Sequence, residues 1–280
     1  MKNIKIILIL LVSFQWGLNA EAQIITSKSI PIDSDSVRMA FDEEPYFGLY
    51  KDNYFIFGPS IGQKPTNTNT NVKFQISLRL KLTKSTLSWG TYLYLFYSQK
   101  AFWNVLEESL PMTDINFNPG IGIAKPLFSK GQYVGKLMFQ VEHESNGRDS
   151  VYSRSWNHIS VGGDFMLTHN ALIHAKFWIP YVDSDNNRDI LKYVGIGQVG
   201  VELMSNNRRW RGSLLLVKRK TWKLDFNSVA EVSWQVTARQ NWHLFAQYYN
   251  GYGEGLLDYN VFSSHLRVGL VFRPKYFSDY

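Results

Sequence analysis

The segment Lys136-Leu137-Met138-Phe139-Gln140-Val141-Glu142-His143-Glu144-Ser145 alternates in character for ten residues. Its odd positions read Leu, Phe, Val, His, Ser and its even positions Lys, Met, Gln, Glu, Glu. Side chains of a β-strand point alternately to opposite faces, so this pattern describes a strand with one largely apolar wall and one polar wall. Such a strand suits a transmembrane β-barrel, whose outside meets hydrocarbon and whose lumen is polar. The segment from Trp156 to Thr168 repeats the pattern, with Asn157, Ile159, Val161, Phe165 and Leu167 on one face and Trp156, His158, Ser160 and Asp164 on the other. Assigning the odd set to lipid in both segments puts His143, Ser145 and Asn157 on the outer wall.

Working outward, alternating stretches separated by Gly, Asn, Asp or Ser turns fall near Tyr46 to Phe57, Val72 to Leu82, Leu87 to Phe102 and Phe117 to Leu127. They continue near Tyr133 to Ser145, Trp156 to Thr168, Leu172 to Val182, Val194 to Met204, Gly212 to Arg219, Asn227 to Thr237, Trp242 to Tyr249 and His265 to Phe272. A ring with an even number of antiparallel strands leaves no unpaired edge in hydrocarbon. The expected fold is therefore all-β, an antiparallel transmembrane β-barrel of about twelve strands. No convincing helical periodicity accompanies it, and the chain closes on the aromatic residues Tyr276, Phe277 and Tyr280.

Composition agrees. Aromatic residues make up 15% of the chain, including 16 Tyr and 9 Trp, as expected for girdles at two membrane interfaces. Lys2 and Lys5, the apolar run Ile6 to Phe14 and the small-x-small triplet Ala20-Glu21-Ala22 read as a cleaved signal peptide over residues 1–22. Residues 23–280 then form a single outer-membrane domain, with no linker or composition shift inside it. The apolar run is too short to span a bilayer as a helix. Cysteine is absent, which excludes disulfides, thiolate metal sites and cysteine nucleophiles. The net charge of +7 is scattered, with its densest groups at Asn207 to Arg211 and Lys218-Arg219-Lys220. At strand ends these suit anionic lipid headgroups or lipopolysaccharide, or simply a solvated turn; nucleic acid is a poor fit for an exported chain.

A histidine two residues from a serine on one strand face lies about 7 Å from it at the backbone, a gap side chains can close. The imidazole can then take the serine proton, and an amide oxygen on the neighbouring strand can hold the other ring nitrogen. Three polar side chains on a lipid-facing wall carry a desolvation cost that a structural role rarely explains. The spacing by itself is also common in chains with no chemistry. Other residues have plainer readings: His158 and His174 as lumen or interface polar groups, and the Gly120/Gly122 and Gly195/Gly197 pairs as strand kinks rather than phosphate loops.

The string His143-Glu144-Ser145-Asn146-Gly147-Arg148, followed by Ser153-Arg154-Ser155-Trp156-Asn157, closely resembles the signature of the outer-membrane phospholipase A family. Similar stretches at Tyr97 to Lys100, Glu107 to Ser109, Asp189 to Tyr193, Gly251 to Glu254 and Leu257 to Asn260 extend the resemblance over most of the chain after Phe41. The resemblance implies a calcium-dependent acyl hydrolase of A1/A2 and lysophospholipase type in the outer membrane, acting on membrane phospholipids and active as a homodimer. By position, Ser145 matches the nucleophile, His143 the general base, Asn157 the residue that orients it, and Gly147 an oxyanion-hole N–H. Arg148, through its carbonyl, and Ser153 match calcium ligands; Ser109 matches a ligand given by the partner subunit, and Gln99 a polar residue buried at the dimer interface. Two departures concern charge near the metal: Glu144 replaces a neutral amide, and Asp149 stands where a small polar residue is expected. The acidic loop Asp183-Ser184-Asp185-Asn186-Asn187 is either a further calcium ligand or a solvated turn. The competing reading is a non-catalytic barrel, porin-like or structural, favoured by composition and alternation without the motif.

Overall fold

The computed structural model describes residues 33–182, 185–237, 239 and 241–273; the expected signal segment, Asp183, Ser184 and the terminal aromatics lie outside them. Twelve strands close into one antiparallel ring: β2 (Asn53–Pro59), β3 (Thr70–Lys81), β4 (Tyr92–Trp103), β5 (Met112–Ser129), β6 (Gln132–Ser145) and β7 (Ser155–Thr168), then β8 (Ala171–Tyr181), β9 (Gly197–Met204), β10 (Trp210–Lys218), β11 (Phe226–Trp234), β12 (Trp242–Gly251) and β13 (Ser263–Phe272). Each strand pairs with its sequence neighbour, and β13 returns to β2 from Val268 opposite Phe57 to Phe272 opposite Asn53. No ring strand is left as a free sheet edge, as a hydrocarbon setting demands.

One expected strand is split. β1 (Phe47–Leu49) and β2 lie along the same edge of β3, with Leu49 opposite Leu78 and Tyr54 opposite Gln75. The interruption at Tyr50, Lys51 and Asp52 turns polar groups inward, and Asp52 takes Arg273 at 2.6 Å. A nine-residue helix, α1 (Ser34–Asp42), also departs from the sequence reading. Asp33 caps it, its Oδ1 accepting from the Asp35 and Ser36 amides at 2.9 and 3.2 Å. It sits at the barrel end where β6 begins, with Ser34 N–H on the Gly131 carbonyl and Phe41 stacked on Tyr92. At nine residues it is too short for its period to register in sequence. Among the described residues no helix is long and apolar enough to cross a membrane.

The outer wall is apolar: Leu137, Phe139, Val141, Ile159, Val161, Phe177 and Ile179 are all exposed. The lumen is filled by paired charges. Glu142 accepts from Lys176 at 2.7 Å, His158 at 3.2 Å and the Ser160 hydroxyl at 2.7 Å. Asp164 holds His174 and Lys136 at 2.7 and 3.2 Å. Glu254 gathers Arg267, Lys73 and His265 at 2.6, 3.1 and 3.2 Å. His158 and His174 are thus lumen groups, as expected. A buried ion pair balances its desolvation cost only when well bonded, and these carboxylates each have several partners. Among these groups lies a cavity of about 200 Å³ under the β6–β7 hairpin, reached by Lys51, Lys100, Glu142 and Trp156.

Candidate active site

The outer face of the β6–β7 hairpin carries the three residues singled out by alternation. His143 is directly opposite Asn157, and Ser145 opposite Ser155. Direct cross-strand neighbours bring their Cβ atoms to about 5 Å, and the imidazole Nδ1 meets Asn157 Oδ1 at 2.8 Å. With the amide oxygen as acceptor, Nδ1 carries the proton and Nε2 is left with its lone pair, the form needed to receive a hydroxyl proton. Ser145 ends the strand two residues on, on the same face. The half-buried pair is fixed from the adjoining strand as well, since Asn118 Nδ2 donates to the His143 carbonyl at 3.0 Å.

The inner face of the same hairpin is a rigid brace. Glu142 is opposite His158 and Glu144 opposite Trp156; Trp156 Nε1 donates to Glu144 at 3.0 Å and its ring stacks on His158 at 4.3 Å. Glu144 therefore lines the lumen cavity, on the polar wall that its even position predicts, and its charge belongs to the brace.

Loop 146–154 follows. Its organiser is Asn146, which sequence reasoning quoted without giving it a role. Buried, it takes the Arg154 and Arg148 amides on Oδ1 at 2.9 and 3.3 Å and donates Nδ2 to the Tyr152 carbonyl at 2.9 Å. A short polar side chain that can serve three backbone groups at once makes a compact loop with few residues. Gly147 has φ 63°, and a Cβ there would meet the Phe117 ring at 2.8 Å. Only glycine fits this left-handed position without strain, and among the described residues no acceptor takes its N–H. Arg148 reaches back to the Thr113 carbonyl at 2.6 Å; separately, its own carbonyl and the Ser153 hydroxyl have no hydrogen bond among the described residues.

The loop before β9 gives a second support that the sequence did not reveal. Asn187, almost fully buried, bonds both backbone groups of Ser155, accepting its N–H at 3.3 Å and donating to its carbonyl at 2.9 Å, while Asn186 donates to the Ser150 carbonyl at 2.8 Å. Two members of the acidic loop are thus scaffold for the catalytic loop. Asp185 is exposed and paired with Arg188. Ser109 lies apart, exposed in the β4–β5 turn, and Gln99 faces the outer wall of β4 with its Oε1 on the Tyr97 hydroxyl at 2.9 Å. Gly195 departs from its expected strand position: with φ 95° it ends the one-turn helix α2 (Leu191–Val194). Among the described residues no cluster of three carboxylates or imidazoles stands ready for a metal.

A closed twelve-stranded barrel with a histidine, an asparagine and a serine on its outer wall defines a membrane-embedded hydrolase scaffold. Residues 47–272 match the model of the phospholipase A1 family, and the chain belongs to that family. Phospholipase A1 of Escherichia coli strain K12 is 30% identical over 207 residues, covering 71% of this chain and 68% of the relative. Among solved structures, the calcium-bound dimer of Salmonella typhi outer membrane phospholipase superposes with a TM-score of 0.72 at 25% identity, covering 86% of this chain and 97% of that one. An active-site variant of E. coli outer membrane phospholipase A, with alanine in place of an asparagine, gives a TM-score of 0.71 at 25% identity over 86% and 97% of the two chains. The chain is an integral outer-membrane enzyme of phospholipase type.

Proposed function

We propose that this chain hydrolyses acyl esters of membrane phospholipids with Ser145 as nucleophile, His143 as general base and Asn157 as the group that orients it. The observation that carries the reading is the 2.8 Å contact of His143 Nδ1 with Asn157 Oδ1 on the lipid-facing wall. It fixes the tautomer in which Nε2 takes the Ser145 proton as the hydroxyl oxygen attacks the ester carbonyl. The carbonyl oxygen becomes an oxyanion facing the Gly147 N–H. Collapse of that intermediate breaks the ester bond, His143 returns its proton to the departing alcohol, and the acyl group stays on Ser145. Water, activated by the same imidazole, then releases the fatty acid and restores the hydroxyl. An asparagine belongs to the active site of the E. coli relative, which supports the role given to Asn157.

The relative from S. typhi binds calcium as a dimer. The donors here fit the same ion: the Arg148 carbonyl and Ser153 hydroxyl are hard neutral oxygens, unbonded among the described residues, of the kind calcium takes. Arg148 and Ser153 would hold it from one subunit and Ser109 from the other, which makes the enzyme a homodimer when active. Bound there, calcium supplies positive charge beside the developing oxyanion. The porin-like alternative is disfavoured by a lumen crossed by ion pairs. Initial rates on phospholipid micelles test the proposal: Ser145→Ala, folded by heat-modifiable gel migration, should fall to background, and retained hydrolysis would reject it.

A further inference from the structure

The loop between β10 and β11, residues 219–225, stands at the same barrel end as the catalytic loop. It is braced by polar bonds. Thr221 Oγ1 donates to the Lys223 carbonyl at 3.2 Å and to Asp225 at 3.1 Å, Lys218 Nζ to the Arg219 and Thr221 carbonyls at 2.6 and 3.0 Å, and the Lys220 amide to the Leu191 carbonyl at 3.1 Å. Its single acid is already engaged, Asp225 pairing with Arg219 at 3.4 Å. Against this frame two large apolar side chains are thrown outward: Trp222 is fully exposed and Leu224 is 87% exposed. Lys220, Lys223 and the neighbouring Lys192 are exposed as well, and among the described residues Lys220 and Lys223 have no acidic partner.

A braced turn gains nothing in water from presenting Trp and Leu. The wall beneath it explains the arrangement. Val217 reaches the lumen cavity, so Leu214, Leu216 and Lys218 point outward by alternation, and Lys218 is opposite the exposed Phe226. The lipid-facing wall therefore continues upward through Phe226 to Leu224 and Trp222, with lysines at the level where hydrocarbon gives way to headgroups. Tryptophan favours that boundary, and lysines beside it attract lipid phosphates. We propose that this loop is a lipid anchor, which inserts Trp222 and Leu224 at the acyl boundary and seats the phosphates of anionic lipids on Lys220 and Lys223.

The chain has no native cysteine, so Leu224→Cys carries a single environment-sensitive fluorophore, with Trp222→Cys as an independent second position. Each labelled barrel, its folding checked by heat-modifiable migration, is reconstituted in phosphatidylcholine vesicles with or without phosphatidylglycerol and quenched by lipids spin-labelled near the headgroup. The expected result is quenching that is strongest in the anionic vesicles. Lys220→Gln with Lys223→Gln should remove that anionic enhancement, by about fivefold in insertion per lysine. Inorganic phosphate added to the neutral vesicles should leave the signal unchanged. Labels that stay unquenched at both positions, equal quenching in the two vesicles, or a response to inorganic phosphate that matches the anionic lipid would each overturn the proposal.

Discussion

Gly147→Ala tests the catalytic loop at one atom. The native backbone there has φ 63°, and holding an alanine in the left-handed region costs about 1–2 kcal/mol. The new Cβ would also lie 2.8 Å from the Phe117 ring, inside van der Waals contact, and Phe117 is opposite Ser145. The loop should relieve both by rotating the peptide that carries the Gly147 N–H. Removing one oxyanion donor costs a factor of roughly 10²–10³ in kcat, and that is the expected loss, with KM little changed because the outer wall of strands is untouched. Gly131→Ala is the control, since φ there is 75° and nothing lies within 4 Å of the added Cβ; it carries the backbone strain without the clash, at the opposite barrel end. Both variants should migrate as folded barrels, and initial rates on micellar substrate in calcium compare them. A Gly147→Ala enzyme with wild-type kcat, or an equal loss in Gly131→Ala, would refute the reasoning.

Further expectations follow from the same geometry. Asn157→Ala leaves the imidazole without its 2.8 Å partner yet removes no charge, so its rate loss should be smaller than that of His143→Ala when both are measured as kcat. Chelating calcium should abolish hydrolysis while circular dichroism still reports an intact β-barrel, because the proposed ligands belong to the loop and not to the sheet. Glu142→Ala strands Lys176 and His158 in the lumen and should lower the unfolding free energy by about 3–5 kcal/mol, read by denaturant titration in lipid vesicles. Asn187→Ala removes both bonds to the Ser155 backbone and should cost about 1–3 kcal/mol in the same titration.

The barrel was legible because alternation is a property of each strand by itself. All twelve ring strands fall on stretches where the sequence predicts them, and His143, Ser145 and Asn157 share the outer wall as their parity requires. What escaped reading depends on contacts distant in sequence. The break at residues 50–52 brings Asp52 to Arg273, a partner far away in sequence, and no local signal marks it. The α1 helix spans only nine residues, too short a stretch for a helical period to stand out from its surroundings. Asn146 and Asn187 look like ordinary turn residues until their side chains are seen bonding backbone groups at Arg154 and Ser155. Glu144 stands where its even position sends it, in the lumen beside Trp156.

The central claim is that Ser145, activated by His143, is the nucleophile. A fluorophosphonate allowed to react with the folded enzyme in calcium, followed by peptide mass mapping, reads this directly. The account predicts a single labelled residue, Ser145, with labelling lost in His143→Ala because the hydroxyl is a poor nucleophile without its base. Label on a different serine, or undiminished labelling of Ser145 in His143→Ala, would contradict it.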